Sequence, residues 1–294
     1  LVYLVLSDLR RLQHQYKEAI EMTNKAIQLA PHWSEPYGML GWIHLLQGNH
    51  AEAEKSFTES QKHGGSKEET QYYLALTVYY QGRLNEALSL LDELIQTGKE
   101  KVRDALIDAG KIALIVNPDK SIDYFERAWS IKPDPLVGMQ WIELLIRRGK
   151  TEEALKILSQ VMADWPFLAL AHLEMGHFLL KQNDIQRAYS AYQNVLDQDG
   201  RNFLANYNLG CILPLRGDFQ QSPDYFETVV REYEDFFPAQ VNMLLAQLSV
   251  DRVMDADNQL VDLLSKYPDN PYLFLARALE RFAAADTRTA LEYL

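Results

Sequence analysis

Residues 204–218 read LANYNLGCILPLRGD, and this stretch is the clearest copy of a unit that recurs along the chain. Apolar residues such as Leu209 and Leu213 return at helical spacing, which predicts a helix with one apolar face. Gly210 leaves room for a second helix to approach, and Gly217 suits the left-handed residue that ends many helices. One such helix cannot bury its apolar face alone, so a stack of similar units is expected.

A small residue returns every 34 residues, with one step of 33. This small-residue column is Ala19, Ala53, Ala87, Ser121, Ala154, Ala188, Ser222, Ala256 and Ala290. One helical turn later most units carry a bulky residue, and Thr23 is the exception. The bulky residues are Phe57, Leu91, Phe125, Leu158, Tyr192, Phe226, Leu260 and Leu294. Prolines that stop a helix follow at Pro31, Pro133, Pro166 and Pro268.

The pattern resembles the tetratricopeptide repeat, whose signature is W-x2-L-G-x2-Y, then A-x3-F, then P. The Leu-Gly step is complete at Leu40-Gly41 and Leu209-Gly210, nearly so at Met175-Gly176 and milder at Leu74-Ala75. The steps that depart from it are Asp108-Ala109, Trp141-Ile142 and Leu244. The resemblance implies an all-α fold, a right-handed superhelix of about nine helix-turn-helix repeats with incomplete terminal ones. It also implies a concave groove, lined by the first helix of each pair, that usually holds a peptide.

The repeats are expected to form a single solenoid over residues 1–294. Its apolar first residues and its last residue, Leu294, indicate an excerpt of a longer chain, because solenoids end in units with a polar outer face.

Turn residues stand five positions before the small-residue column, where a first helix is expected to end. They are Gly48, Gly82, Gly149, Asn183 and Gly217. In the fourth unit Asn117 is expected to cap the second helix and Pro118 to open it. Ser222 followed by Pro223 predicts a similar cap in the seventh unit, after a first helix that holds Pro214 in its last turn.

Composition excludes several functions. A formal net charge of -12 disfavours nucleic acid as a partner, because binding to nucleic acid rests on neutralising phosphates. Cys211 is the only cysteine, which rules out an intrachain disulfide, and no apolar run approaches the roughly 18 residues that span a bilayer. No cofactor or metal site is indicated, since His172 and His177 lack the i, i+4 spacing of a helical metal pair. The sequence is compatible with the cytoplasm or the periplasm.

The best candidate for catalysis is Glu143, His177 and Cys211, which occupy the same place in three consecutive units. They could supply an orienting acid, a base and a nucleophile. Equivalent helices pack about 8 to 10 Å apart at best, whereas a working pair needs about 2.6 to 3.2 Å. The sequence therefore predicts that this chain is not an enzyme.

In the geometry that the resemblance implies, the residue before each Leu-Gly step faces the groove. This groove column is Val5, Met39, Tyr73, Ile107, Gln140, Glu174, Asn208 and Asn242. Its second half offers amides and one carboxylate, which can pair with a peptide backbone. The third unit adds tyrosines that one buried face cannot all absorb, and the alternative is that these residues form ordinary core between repeats. The predicted partner-binding residues are Met39, Trp42, Tyr72, Tyr73, Tyr80, Gln140, Glu174, Asn208 and Asn242.

Some members of the family grip a C-terminal carboxylate with lysines, asparagines and an arginine. The matching positions here hold Leu4, Asp8, Trp42, Glu69 and Tyr73, so an acidic peptide is a poor candidate ligand. The function predicted from the sequence is a scaffold that binds a protein or peptide partner in its groove. The alternative is a recruiting arm of a larger enzyme or export machine, for instance a glycosyltransferase or a polysaccharide-secretion protein.

Overall fold

The computed structural model describes residues 1–293, which contain eighteen α-helices, one short 3-10 segment and no strand. The helices are α1 (Val2–Leu12), α2 (Tyr16–Leu29), α3 (Ser34–Leu46), α4 (His50–Lys62), α5 (Lys67–Tyr80), α6 (Leu84–Thr97), α7 (Val102–Val116), α8 (Pro118–Ile131), α9 (Pro135–Arg147), α10 (Thr151–Asp164), α11 (Ala169–Lys181), α12 (Ile185–Leu196), α13 (Phe203–Arg216), α14 (Ser222–Glu232), α15 (Phe237–Ser249), α16 (Val253–Lys266), α17 (Pro271–Ala283) and α18 (Thr287–Glu292). The all-α prediction of about nine helix pairs is confirmed.

Contacts divide the chain into two compact units, Leu1–Ile157 and the part from Leu158 onward. In the first unit, each helix from α1 to α8 packs against the next one in the sequence. In the second unit the same holds from α11 to α18. First helices also meet one another, as α1 meets α3 and α15 meets α17. This arrangement places the first helices of successive pairs side by side.

The core follows the repeat. Every member of the small-residue column is buried, with at most 4% of its surface exposed. The bulky residues one turn later are buried as well, from Phe57 to Leu260, and Leu294 lies outside the described residues. Four glycines of first helices sit directly under the rings of this bulky set. A Cβ atom on Gly176 would stand 2.6 Å from Tyr192, and one on Gly210 would stand 2.8 Å from Phe226. The close helix crossing therefore depends on glycine.

The fourth unit achieves the same crossing with a different residue. Its sequence lacks Leu-Gly and carries Asp108-Ala109 instead. In the structure Gly110, one position later, lies under Phe125, and a Cβ there would be 2.7 Å from the ring. The departure from the signature therefore leaves the close approach intact.

The predicted turns are confirmed. Gly48, Gly82, Gly149, Asn183 and Gly217 all have positive φ and each follows a first helix within two residues. The same position is left-handed at His14, Asp251 and Ala285, which carry no glycine signal in the sequence. Asn117 caps α8 by accepting a hydrogen bond from the backbone N–H of Lys120, and Pro118 is the first residue of that helix, as expected.

In the seventh unit, the prediction that Ser222 caps its own helix is wrong. A 3-10 turn at Phe219–Gln221 comes first, and α14 begins at Ser222 with Gln221 in the capping position. The Ser222 hydroxyl donates instead to the backbone carbonyl of Gly210, at 2.7 Å. Pro214 has no N–H to give that carbonyl four residues before it. Ser222 thus satisfies a buried acceptor that the proline leaves without its helical partner.

Ser222→Ala is expected to lower the free energy of unfolding by about 1–3 kcal/mol, because the Gly210 carbonyl loses its donor. Ser121→Ala is the matched control. Ser121 donates to the Gly110 carbonyl at the same distance, 2.7 Å, but residue 114 is a leucine whose N–H still completes the helical bond. Urea unfolding followed by circular dichroism measures both changes. Equal losses in the two variants would contradict this account of Pro214.

A second polar column, which the sequence reasoning missed, ties the loops between pairs to the next first helix. Its members each hydrogen-bond the backbone carbonyl six residues earlier, at 2.5 to 3.1 Å, and they are Tyr37, His172, Asn206 and Gln240. The spacing of 34 between His172, Asn206 and Gln240 is the signal that could have revealed it. His172 is therefore a buried structural residue.

Candidate partner-binding surface

The predicted groove column lies on successive first helices, and each of its members keeps some exposed surface. We call this surface the first-helix face and describe it separately in each unit. In the first unit it carries Met39 on α3, Tyr73 on α5 and Gln140 on α9. In the second unit it carries Glu174 on α11, Asn208 on α13 and Asn242 on α15.

An open cavity of about 370 Å³ lies between α3 and α5, and we call it the α3–α5 cavity. Met39, Trp42 and Tyr73, three of the predicted residues, line it together with Phe57. Tyr73 stacks between two rings, with centroid distances of 5.9 Å to Trp42 and 5.9 Å to Phe57. The remaining lining residues are Leu4, Ser34, Glu35, Gly38, Ser60, Gly65, Ser66, Glu69 and Thr70. The cavity therefore has aromatic walls that the fold holds in place.

Trp42 also contacts a cation of this chain. The guanidinium carbon of Arg11 lies 3.9 Å from the centre of the indole ring. Arg11 in turn pairs with Asp8 at 2.7 Å, one turn earlier on α1. Asp8 and Trp42 are two of the positions at which a carboxylate clamp would need basic or amide residues. The contact of Arg11 with Trp42 joins α1 to α3. Asp8 and Trp42 therefore form no clamp for a carboxylate.

The other two predicted tyrosines on α5, Tyr72 and Tyr80, are placed differently from Tyr73. The Tyr72 hydroxyl donates to Asp108 on α7 at 2.7 Å, and burial together with this hydrogen bond raises the pKa of Tyr72. Tyr80, the last residue of α5, is 58% exposed and stacks on His50 at the start of α4. Tyr80 lines no part of the α3–α5 cavity. Tyr73 thus lines the cavity and Tyr72 links two first helices. Tyr80 is an exposed ring at the end of α5.

Asn208 and Asn242, the two asparagines of the groove column, use their amide N–H groups within the protein. Nδ2 of Asn208 donates to the carbonyl of Leu204 at 2.8 Å and lies 3.3 Å from Nε2 of His177 on α11. Nδ2 of Asn242 donates to the Tyr207 hydroxyl at 3.1 Å. Their Oδ1 atoms form no hydrogen bond with the described residues. These amides therefore link neighbouring first helices and keep an acceptor for something else.

A second open cavity, of about 320 Å³, lies beside Asn242, and we call it the α13–α15 cavity. Its lining has no charged side chain. It consists of Gly210, Cys211, Pro214, Phe219, Ser222, Phe226, Asn242, Leu245, Ala246 and Ser249. The first-helix faces of the two units thus carry cavities of similar size and different chemistry.

Two family models match parts of the chain. The model for the anaphase-promoting complex, cyclosome, subunit 3, matches residues 12–94, and a tetratricopeptide repeat model matches residues 173–235. The resemblance to the tetratricopeptide-repeat family is confirmed by these matches.

Solved structures share this fold. The C-terminal part of a repeat-containing protein from Cytophaga hutchinsonii has a TM-score of 0.70 and 14% identity, over 82% of this chain and 99% of that chain. A tetratricopeptide repeat protein from Parabacteroides merdae has a TM-score of 0.55 and 14% identity, over 77% and 90%. PilW, a type IV pilus biogenesis factor, has a TM-score of 0.52 and 18% identity, over 71% and 98%.

The three residues considered for catalysis contact different side chains, and Sγ of Cys211 lies 3.7 Å from Nδ2 of Asn242. Glu143 pairs with Arg147 at 2.6 Å, and His177 lies beside Asn208. Desolvation of its sulfur by the surrounding protein raises the pKa of the Cys211 thiol to about 11, although the residue as a whole is exposed. An activated cysteine needs the opposite shift, because the thiolate is the nucleophile. The described residues also contain no cluster suited to a metal ion and no helix long and apolar enough to cross a membrane.

Cys211 is expected to react slowly with iodoacetamide near neutral pH and to accelerate up to a midpoint at about pH 11. Its raised pKa keeps the thiol protonated below that pH, whereas an ordinary cysteine ionises at about pH 8.5. Because the chain has one cysteine, mass spectrometry follows its alkylation directly. The urea-unfolded chain is the control and should show the ordinary midpoint. The same midpoint in both states would contradict the raised pKa of the thiol.

Proposed function

We propose that this protein is an interaction scaffold that holds an extended segment of a partner protein on its first-helix faces. The observation that carries this proposal is the pair of open cavities between successive first helices, one in each unit, both lined by residues of the groove column. Repeat proteins of this family generally mediate protein–protein interaction. Cavities of a few hundred cubic ångströms are large enough to take side chains or small ligands.

Each face, taken by itself, would contact a partner segment in a different way. Aromatic walls at Trp42 and Tyr73 offer a large apolar area to a side chain, at low cost in conformational entropy. In the second unit, Oδ1 of Asn208 and Oδ1 of Asn242 would accept hydrogen bonds from backbone N–H groups of the segment. Gln140 and Glu174 have no hydrogen bond of their side chains to the described residues and would add further polar contacts.

We infer that this chain binds rather than catalyses. Glu143, His177 and Cys211 each contact a different side chain, and the thiol pKa is raised. The net charge of -12 favours a protein partner over nucleic acid. That the helix pairs form one solenoid stays a prediction.

The test is selection of ligands from a random-peptide phage library on the immobilised protein. The dissociation constant of a selected peptide is then measured by fluorescence anisotropy for the parent and for Asn208→Ala/Asn242→Ala. Each lost hydrogen bond is worth about 0.5–1.5 kcal/mol, so the double variant is expected to bind about 5- to 150-fold more weakly. Circular dichroism should show unchanged helix content.

The matched control is Asn85→Ala/Asn258→Ala, which removes two exposed asparagines from the second helices α6 and α16. This control is expected to leave the dissociation constant unchanged. Equal weakening by both double variants, or by neither of them, would rule out peptide binding through the amide face.

A further inference from the structure

We propose that the α3–α5 cavity receives a lysine or arginine side chain, and that the partner segment is therefore basic. This inference rests on the proposed function and specifies the chemistry of its ligand. It follows from the charges at the cavity, from its aromatic walls and from an unpartnered hydroxyl inside it.

The charged side chains that line the cavity are both carboxylates, Glu35 and Glu69. Both residues are exposed, and neither takes part in an ion pair among the described residues. One oxygen of Glu35 accepts a hydrogen bond from the Ser34 hydroxyl at 3.0 Å, and the Glu69 carboxylate has no such contact. Two uncompensated negative charges at one opening favour a cationic group between them.

Nearby cations of the chain are engaged elsewhere. Lys67, two residues before Glu69 on α5, lies 3.7 Å from Glu93 on α6. Arg11 pairs with Asp8. The carboxylates of the α3–α5 cavity therefore have no internal counterion, and a ligand can supply one.

The interior of the cavity suits the rest of such a side chain. Trp42, Tyr73 and Met39 offer apolar and aromatic surface along which the methylenes of lysine or arginine pack. The hydroxyl of Thr70 lines the same cavity and forms no hydrogen bond with the described residues, although Thr70 is only 5% exposed. This hydroxyl can accept a hydrogen bond, and a cationic head group donates hydrogen bonds.

The chain provides its own example of this recognition. Arg11 lies over the ring of Trp42 at 3.9 Å, so this indole already binds a guanidinium through its π-system. The α13–α15 cavity provides the contrast, because no charged side chain lines it. Preference for a basic side chain is thus specific to the first unit.

The experiment uses peptides selected from the random-peptide library on the parent protein. Selected sequences are expected to be enriched in lysine or arginine. Glu35→Gln/Glu69→Gln should weaken their binding about tenfold, since charge-assisted contacts are stronger than neutral ones. Raising NaCl from about 0.05 M to about 0.5 M should weaken binding to the parent and change binding to the variant little. The control Glu21→Gln/Glu126→Gln removes the same charge from the second helices α2 and α8 and should have no effect.

Trp42→Ala separates the two proposals. If Trp42→Ala weakens binding but the selected peptides lack basic residues, or Glu35→Gln/Glu69→Gln binds as tightly as the parent, the basic-segment proposal is overturned while the scaffold proposal stands. If Glu35→Gln/Glu69→Gln and the control Glu21→Gln/Glu126→Gln weaken binding equally, only the overall negative charge of the protein acts. The basic-segment proposal is then overturned as well. If no peptide is selected, both proposals fail.

Discussion

Replacing Phe125 by alanine is expected to lower the free energy of unfolding by about 3–5 kcal/mol, the largest change in stability that we predict. The ring is fully buried and lies on Gly110, where even a Cβ would come within 2.7 Å. Helices held this closely cannot collapse into the space that the ring leaves, so the loss includes a cavity as well as the lost burial. Urea unfolding followed by circular dichroism gives the change.

Leu114→Ala is the control for this measurement. Leu114 belongs to the same helix pair but is 40% exposed, so its truncation should cost less than about 1 kcal/mol. Because stability in a repeat array adds up from neighbouring units, both variants are compared through the same transition. A loss at Phe125 no greater than that at Leu114 would show that the assigned register is wrong.

The largest expected effect on binding follows Tyr73→Ala. If a partner segment occupies the α3–α5 cavity, removal of this wall should weaken binding by about 2 kcal/mol or more, roughly 30-fold, as for aromatic residues at the centre of interfaces. Fluorescence anisotropy with a selected peptide measures the change. Thermal unfolding of the variant is recorded first, since Tyr73 also stacks on Phe57, and binding is measured well below that transition.

Tyr80→Ala shows where on α5 the contact lies. Tyr80 is on the same helix and is 58% exposed, but it stacks on His50 and lines no part of the cavity. Its removal should weaken binding much less than removal of Tyr73. The reverse order would move the binding surface to the C-terminal end of α5.

Much of the candidate site was predictable because its positions follow the repeat. The groove column from Met39 to Asn242 comes from counting along the sequence, and all its members do keep exposed surface. The chemistry at each position was less predictable. Tyr72 and Tyr73 are neighbours in the sequence, yet Tyr72 bonds to Asp108 while Tyr73 lines a cavity. That difference depends on how α5 is rotated against α3 and α7.

The sequence by itself determined the helix pairs, their register and most of their turns. These features arise within one helical turn or one tight loop, where the spacing of small, bulky and glycine residues decides the outcome. The sequence did not determine the backbone conformation at turn residues that have no strong local preference. Ala285 is left-handed although alanine gives no turn signal, because the chain must still reverse there between α17 and α18.

Only the tertiary structure decided contacts between helices. Gly110 rather than Ala109 lies under Phe125, Ser222 serves the carbonyl freed by Pro214, and Glu35 and Glu69 open onto one cavity. Each of these pairs joins residues that lie at least eight positions apart in the sequence. Their meeting is set by the rotation and separation of whole packed helices, which no local pattern in the sequence specifies.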